Sequence, residues 1–198
     1  VMSMDLAVDD APRRLYERVT VDEGLEIDAL VNNVGVGANG SFLETDLDFE
    51  KTSIQLNVTT MTELTKRFLP ELCRRPSAYV LNVASVAGFQ PGPKMSVYAA
   101  TKAYAVSFSE AIYEEMKDTS VSVTALCPGP VETPFIERAE MEGANLFKGV
   151  VQDPDDVAAD GYKAMIAEKP VIVPGLLFRT MTKLFSLTVP RPAARKIT

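Results

Sequence analysis

Short apolar runs alternate along this chain with longer stretches of mixed polarity, and each kind of stretch predicts a different element. Four apolar runs have the length and composition of buried strands, at residues 27–33, 78–85, 121–128 and 170–174. Apolar residues that recur every three or four positions predict helices between them, at about 12–21, 47–74, 97–117 and 154–168. Apolar strands separated by helices are typical of a parallel sheet that is covered on both faces. The chain is therefore predicted to have an α/β fold.

Polar residues and prolines mark where some of these helices begin or bend. Asp9 and Asp10 followed by Pro12 form a helix-start signal. Asp153 is placed to cap the helix that follows it. Pro70 lies inside the longest predicted helix, where it predicts a kink.

The composition of the chain supports a single domain and narrows the range of partners. The chain has 198 residues, of which 46% are hydrophobic, and this is enough for one substantial core. The net charge of −7 disfavours nucleic acids and anionic membranes as partners. No apolar run reaches the roughly 18 residues that span a bilayer, and no signal-peptide pattern is found. We expect a cytoplasmic protein without a membrane span.

The chain has no histidine, and this removes whole classes of catalysis. Ser-His-Asp and Cys-His mechanisms both need an imidazole as the base, and the usual zinc sites lack their ligands. The two cysteines, Cys73 and Cys127, form no CxxC pair, so we interpret them as reduced thiols. We expect no metal site, and any catalytic base must be another side chain.

Three short segments follow the ends of predicted strands and carry small or polar residues. They are residues 32–35, Ser85 and residues 128–129. In a parallel sheet the carboxyl ends of the strands share one rim, and ligands bind beyond it. The sequence therefore predicts one site at which these segments meet.

A tyrosine and a lysine four residues apart lie at the start of the helix that follows Ser85. Tyr98 and Lys102 fall on one helical face, and Ser85 stands 13 residues before Tyr98, at a strand end. A second such pair, Tyr113 and Lys117, lies later in the same helix, but the residue 13 positions before that tyrosine is an alanine. We therefore interpret the first pair as functional and the second as structural.

The side chains of this group suit proton transfer. A phenol titrates near pH ~10, so it exchanges protons usefully at neutral pH only if its anion is stabilised. We expect the ammonium of Lys102 to lower the pKa of Tyr98, and Ser85 to hydrogen-bond a substrate oxygen beside it. Asn57, in the long helix, is a candidate to hold a water in a relay to Lys102, although a mid-helix asparagine is also a common helix irregularity.

Together these motifs resemble those of the short-chain dehydrogenase/reductase family over about residues 1–175. The segment "NNVG" at 32–35 is similar to the family's Asn-Asn-Ala-Gly, with Val34 in place of alanine. The segment "CPGPVET" at 127–133 resembles its Pro-Gly loop, and "MDLA" at 4–7 resembles a strand end near the adenine. The resemblance implies a Rossmann-like, doubly wound sheet and a catalytic tetrad of Asn57, Ser85, Tyr98 and Lys102. It implies cofactor contacts from Asp5, Asn32, Gly35, Tyr98, Lys102, Pro128, Gly129, Val131 and Thr133.

The resemblance implies an NAD(P)-dependent oxidoreductase of the carbonyl reductase or alcohol dehydrogenase type. Hydride would pass reversibly between NAD(P)(H) and a small carbonyl or alcohol substrate, with Tyr98 as acid or base. The sequence leaves NAD and NADP both open, and its C-terminal part is similar to that of relatives acting on moderately apolar ketones. Two alternatives stand beside this function: an epimerase or dehydratase that uses the same tyrosine and lysine, and a non-catalytic binding or regulatory module.

The C-terminal part carries the segments in which we expect substrate choice to reside. Residues 134–150 lie where the family has its mobile substrate lid, and residues 175–198 form a C-terminal helix and tail. We expect this helix to pack against the substrate pocket or a partner subunit, with attachment to a membrane surface as the alternative. Its apolar and basic residues are Leu177, Met181, Leu184, Phe185, Arg179 and Lys183.

Relatives commonly assemble through their two long helices, so the resemblance also implies a homodimer or homotetramer. The candidate contact residues lie on the expected outer faces of helices 47–74 and 97–117. They are Met61, Phe68, Phe108 and Ile112.

The family's first two strand-helix units, with the glycine-rich turn that binds phosphate, have no counterpart in this sequence. We expect about 50 residues to precede Val1 in the native chain, because each strand-helix unit takes roughly 25 residues. In the order 3-2-1-4-5-6 those two strands are central. We therefore expect a gap between a first strand at residues 1–7 and the strand at 27–33, visible as an open sheet edge or a rearranged front end.

Overall fold

Four parallel strands form the sheet of this protein in the computed structural model, which describes residues 1–134 and 151–188. The strands are β1 (Ala29–Asn32), β2 (Ala78–Val83), β3 (Val121–Leu126) and β4 (Val171–Ile172). They lie side by side in chain order, and every neighbouring pair is parallel. The four apolar runs are therefore confirmed as strands, each somewhat shorter than its run.

Six α-helices connect and cover these strands in the described ranges. They are α1 (Ala11–Glu17), α2 (Leu47–Ile54), α3 (Met61–Leu72), α4 (Ser96–Met116), α5 (Pro154–Ile166) and α6 (Leu176–Thr188). The predicted long helix consists of α2 and α3 joined by a π-helical segment, Gln55–Thr60. The predicted cap of α5 is confirmed, because the carboxylate of Asp153 accepts hydrogen bonds from the backbone N–H groups of Asp155 and Asp156.

The two faces of the sheet are covered by different helices. Successive residues of a strand point to opposite faces, so β2 and β3 each contribute to two cores. On one face α3 meets the strands in a cluster that includes Leu64, Phe68, Leu72, Val80 and Val123. On the other face α5 meets them in a cluster that includes Leu81, Leu126, Val157, Met165 and Ile172. The α/β architecture is therefore the one predicted, and it leaves the carboxyl ends of the strands as a rim.

Met61 and Phe68 do not lie on an outer face of the long helix, so the prediction that they contact a second subunit is wrong. Phe68 is 2% exposed and Met61 is 6% exposed, and each belongs to a core cluster. Phe108 and Ile112 of α4 are partly buried against the same clusters. The π-helical segment before Met61 gives the reason for the first two: its wider turns rotate the faces of the helix that follows.

Residues 1–7 form no strand, contrary to the prediction. The carboxylate of Asp5 accepts a hydrogen bond from the N–H of Ala7 at 2.9 Å, and the carbonyl of Leu6 accepts one from the hydroxyl of Thr60 at 2.9 Å. This turn therefore packs on the long helix and not in the sheet. β1 is the edge strand of the described sheet, so the predicted gap between two strands does not arise and the front end is rearranged.

Two predicted segments fall wholly or partly outside the described residues. The substrate lid at 134–150 lies outside them apart from Pro134, and so does the tail after residue 188. Within 1–134 and 151–188, no helix is long and apolar enough to cross a membrane. The same residues hold no group of three or more cysteine, aspartate or glutamate side chains that could bind a metal.

Candidate active site

Three of the predicted catalytic residues meet where β2 ends and α4 begins. Ser85 follows β2 and caps a short 3-10 turn, Val86–Phe89, by accepting a hydrogen bond from a backbone N–H at 3.1 Å. Tyr98 and Lys102 lie in the first two turns of α4. A Cβ on Gly88 would lie 2.7 Å from the carbonyl oxygen of Lys102. A glycine is therefore needed for the turn that carries Ser85 to touch the helix that carries the other two.

The hydroxyl of Tyr98 is hydrogen-bonded to the side chain of Ser85, so the two hydroxyl groups are adjacent. Burial raises the pKa of Tyr98 to about 12, and the hydrogen bond with Ser85 opposes that rise. The prediction that Lys102 lowers this pKa is wrong for this structure, because the loss of hydration around the phenol dominates. Lys102 Nζ lies 5.7 Å from the centroid of the Tyr98 ring. At neutral pH Tyr98 is therefore protonated and able to donate a proton.

The ammonium group of Lys102 lies at the carboxyl end of β2. Its Nζ donates a hydrogen bond to the carbonyl oxygen of Val83 at 2.8 Å. Burial lowers the pKa of Lys102 to about 8, while the nearby Cys127 opposes that fall. An ammonium carries three N–H donors, and Val83 takes one of them. The group therefore retains donors for hydroxyl groups of a bound molecule.

Asn57 lies in the π-helical segment and is 3% exposed. π-helical turns are rare and occur frequently at functional sites. Its Oδ1 accepts from the N–H of Val36 at 3.0 Å, and its Nδ2 donates to the carbonyl of Val36 at 2.8 Å. Nδ2 also donates to the hydroxyl of Thr101 at 2.9 Å. Asn57 therefore ties the glycine-bearing loop to α4, and its part in a water relay stays a prediction.

Thr101 and Gly37 belong to the candidate site, although neither was predicted from the sequence. The hydroxyl of Thr101 donates to the carbonyl of Tyr98 at 2.8 Å while it accepts from Asn57. A Cβ on Gly37 would lie 2.4 Å from Cδ2 of the Tyr98 ring, so the loop rests directly on that ring. The available signals were the position of Thr101 directly before Lys102 and a second glycine in "VGVGANG".

The glycine motif after β1 contributes two residues with different environments. A Cβ on Gly35 would lie 2.9 Å from Asn57 Oδ1 and 3.4 Å from Lys102 Nζ, so Gly35 lies at the site as predicted. The side chain of Asn32 instead turns into the protein. Its Nδ2 donates to Asn82 Oδ1 at 2.8 Å and to Thr65 Oγ1 at 3.1 Å. A cofactor contact by Asn32 stays a prediction.

The Pro-Gly loop after β3 reaches the same rim. The carbonyl of Pro128 accepts a hydrogen bond from the N–H of Val86 at 3.0 Å and lies 3.4 Å from the hydroxyl of Ser85. Next to it, a Cβ on Gly129 would lie 2.7 Å from the ring of Phe178 in α6. The loop is therefore held between Ser85 and the C-terminal helix.

The remaining predicted cofactor residues lie on both sides of this group. Val131 forms a parallel bridge with Gln152, and the hydroxyl of Thr133 donates to the carbonyl of Val131 at 3.3 Å. Asp5 is exposed at the rearranged front end, where its described hydrogen bond is to its own turn. Cofactor contacts by these three residues stay predictions.

Comparison with known proteins identifies the family. A family model described as short chain dehydrogenase matches residues 1–143. An uncharacterised oxidoreductase of Staphylococcus epidermidis is 31% identical over 157 residues, which are 76% of this chain and 68% of that protein. The chain belongs to the short-chain dehydrogenase family. The resemblance seen in the sequence is confirmed, and the protein is an NAD(P)-dependent dehydrogenase or reductase by family.

Solved structures of this family share the fold. A short-chain dehydrogenase from Sphingobium yanoikuyae in complex with NADPH is 25% identical, with a TM-score of 0.78 over 92% of this chain and 73% of that chain. A short-chain dehydrogenase/reductase from Burkholderia phymatum in complex with NAD is 22% identical, with a TM-score of 0.81 over the same shares. The described sheet and helices of this short-chain dehydrogenase are thus the family's Rossmann-like fold.

Proposed function

We propose that this short-chain dehydrogenase reduces a ketone or aldehyde to an alcohol, and oxidises the alcohol in the reverse direction, with NAD(P)(H). The observation that carries the proposal is the meeting of the Tyr98 and Ser85 hydroxyls beside the buried ammonium of Lys102. Two hydroxyls at one point suit a carbonyl oxygen, which accepts two hydrogen bonds in the plane of its substituents.

The residues of the rim fit the nicotinamide end of such a cofactor. The remaining donors of Lys102 suit the hydroxyl groups of a ribose, and Gly35 borders the same space, since its Cβ would lie 3.4 Å from Lys102 Nζ. Residues 128–133 offer backbone groups and the hydroxyl of Thr133 to a carboxamide. In the related structures the cofactor is NADPH in one case and NAD in the other, and we leave the choice between them open for this chain.

The steps that the chain's own residues perform follow from their protonation states. When bound, NAD(P)H supplies a hydride to the carbonyl carbon. Ser85 orients the carbonyl oxygen, and Tyr98, protonated at neutral pH because burial raises its pKa to about 12, gives its proton to that oxygen as the C–H bond forms. The phenolate left behind is stabilised by the hydrogen bond with Ser85, which opposes the rise in the pKa of Tyr98. A general acid of this kind typically contributes about 10²- to 10⁴-fold to the rate.

Access to the site requires the glycine-bearing loop to move. Tyr98 is 8% exposed and Lys102 is 7% exposed, and Gly37 rests on the tyrosine ring. A carbonyl carbon that accepts hydride near Tyr98 needs space that this loop now occupies. We infer that loop displacement accompanies binding, with Asn57 as its anchor.

A panel of aliphatic and aromatic ketones and the matching alcohols, with NADH and with NADPH, tests the proposal at the cofactor's absorbance. We expect turnover of at least one carbonyl with one cofactor. Turnover of no carbonyl or alcohol would overturn the oxidoreductase proposal. If a nicotinamide cofactor still bound, a non-catalytic binding module would be favoured; racemisation or loss of water from a hydroxylated substrate would favour an epimerase or dehydratase.

We further propose that the protein assembles as a homodimer or homotetramer through its long helices. An apolar groove of about 660 Å³ runs between α2 and α4, and it supports this proposal. Phe42 and Ile54 on its wall are 66% and 45% exposed, and Tyr104 is 38% exposed. Contiguous exposed apolar patches typically mark surfaces that contact another molecule.

A further inference from the structure

Gln152 joins three segments around the candidate site. Its backbone pairs with the Pro-Gly loop: its N–H donates to the carbonyl of Pro130 at 2.8 Å, and its carbonyl accepts from the N–H of Glu132 at 3.0 Å. These two bonds form the parallel bridge between Val131 and Gln152. The residue also stands immediately before Asp153, the cap of α5. The backbone of Gln152 therefore fixes where the loop lies relative to α5.

The side-chain amide of Gln152 makes two hydrogen bonds, one as an acceptor and one as a donor. Its Oε1 accepts from the N–H of Gly129 at 2.9 Å, and its Nε2 donates to the carbonyl of Pro174 at 2.9 Å. The chain makes room for this amide at Gly175, whose φ is +76° and where a Cβ would lie 2.8 Å from Nε2. An amide is the side-chain group that offers an acceptor and a donor at this spacing. Leucine, of similar size, offers neither, and glutamate at neutral pH offers only the acceptor.

The loop held by Gln152 leads directly to the catalytic serine. Gly129 follows Pro128, whose carbonyl lies 3.4 Å from the hydroxyl of Ser85 and accepts from Val86. The same loop continues to Thr133, a candidate contact for the nicotinamide carboxamide. A shift of Gly129 would therefore move the loop against both Ser85 and a bound cofactor, and displacements of about 1 Å at an active site can cost 10²-fold in rate.

We infer that Gln152 is a positioning residue for this dehydrogenase, which sets the Pro-Gly loop for cofactor binding. The inference rests on the proposed function of the site. Gln152 touches neither the hydroxyl pair nor Lys102, and it acts through Gly129. A purely structural glutamine would change stability alone, whereas a positioning glutamine changes the KM for the cofactor.

The test compares Gln152→Leu and Gln152→Glu with Asp153→Ala in the full chain. Asp153→Ala removes the cap of α5 and lowers Tm, and the described hydrogen bonds of this side chain are to α5 and not to the loop. We expect Gln152→Leu to lower kcat/KM for the nicotinamide cofactor by roughly ten- to hundredfold, with a rise in KM as part of that loss, and Asp153→Ala to leave that KM within about twofold. For Gln152→Glu we expect the KM defect to shrink as pH falls toward ~4.3, because a protonated carboxyl regains the donor to Pro174.

Equal KM values for Gln152→Leu and Asp153→Ala would overturn the inference while leaving the proposed function standing. If the wild-type protein turns over no carbonyl, titration of cofactor fluorescence replaces KM. Weaker NADH or NADPH binding by Gln152→Leu than by Asp153→Ala then supports the positioning role, and equal binding overturns it. Failure of the wild type to bind either cofactor overturns both proposals.

Discussion

Replacing Tyr98 with phenylalanine removes a single oxygen from the site and leaves the ring in place. The ring stays buried under Gly37, so the change deletes the proposed proton donor without opening a cavity. Loss of a positioned general acid lowers kcat by about 10²- to 10⁴-fold, or roughly 3–5 kcal/mol of transition-state stabilisation. We expect kcat to fall within this range and the KM for the cofactor to change little.

The same substitution should cost little stability. The lost hydrogen bond to Ser85 is worth about 1 kcal/mol net, and Ser85 keeps the carbonyl of Pro128 within reach. A loss of that size lowers Tm by about 2–4 °C in a domain of this length. Differential scanning calorimetry on the variant and the wild type measures it directly, so a fall in activity can be separated from unfolding.

Tyr113→Phe is the matched control for this experiment. Tyr113 lies on the same helix and has the same spacing to a lysine, but it is packed at the edge of the core cluster around Phe68. We expect Tyr113→Phe to leave kcat within about twofold of the wild-type value. We expect its Tm to change by a few degrees, as in Tyr98→Phe. If the two variants retained equal activity in the carbonyl assay, the assignment of Tyr98 as proton donor would be refuted.

Three further predictions concern the covering loop, the buried lysine and the assembly. Gly37→Ala should lower Tm, because its Cβ would lie 2.4 Å from the Tyr98 ring, whereas Gly40→Ala, at 3.2 Å from a side-chain methyl, should be nearly neutral; thermal unfolding of both would decide it. The pKa of Lys102 is lowered from its ordinary value of 10.5 to about 8 in the folded protein. Between pH 8 and pH 10.5 the unfolded chain therefore binds more protons than the folded one, and the free energy of unfolding rises with pH. The rise amounts to roughly 3 kcal/mol, and Lys102→Met should abolish it when urea unfolding is compared at pH 7 and pH 10. A rise that persisted in this variant would show that another group causes it. Light scattering at micromolar concentration should give a dimer or tetramer, and a monomer would contradict the proposed assembly.

The sequence predicted the elements that depend on local chemistry. The four apolar runs became strands, of which β2 and β3 are largely buried, and Asp153 capped α5 because its carboxylate reaches the first free N–H groups. The convergence of Ser85 with Tyr98 also followed from sequence, since the end of a parallel strand and the start of the next helix meet at one rim.

The predictions that failed depended on long-range packing. Met61 and Phe68 were assigned to the wrong helical face, because the sequence does not reveal the π-helical segment that precedes them. The pKa of Tyr98 moved upward because burial, which a spacing of four residues does not reveal, outweighed the hydrogen bond with Ser85. Residues 1–7 remained outside the sheet, because a strand exists only with a neighbour to pair with. Gln152 belongs to no sequence motif, so its role could be inferred only from its contacts in the structure.

The amide of Asn32 also determines how β1 is aligned on its neighbour. Asn32 stands directly opposite Asn82 and donates to it, and Asn82 in turn donates to Ser109 of α4 at 2.9 Å. Sliding β1 by two residues would place Asn32 opposite Val80 or Ala84 and leave buried amides without partners, at a cost of about 1–3 kcal/mol for each group. A four-residue edge strand has few other means to resist such slippage. These amide hydrogen bonds therefore fix the register of β1, and with it the point along the sheet at which the glycine-bearing loop begins.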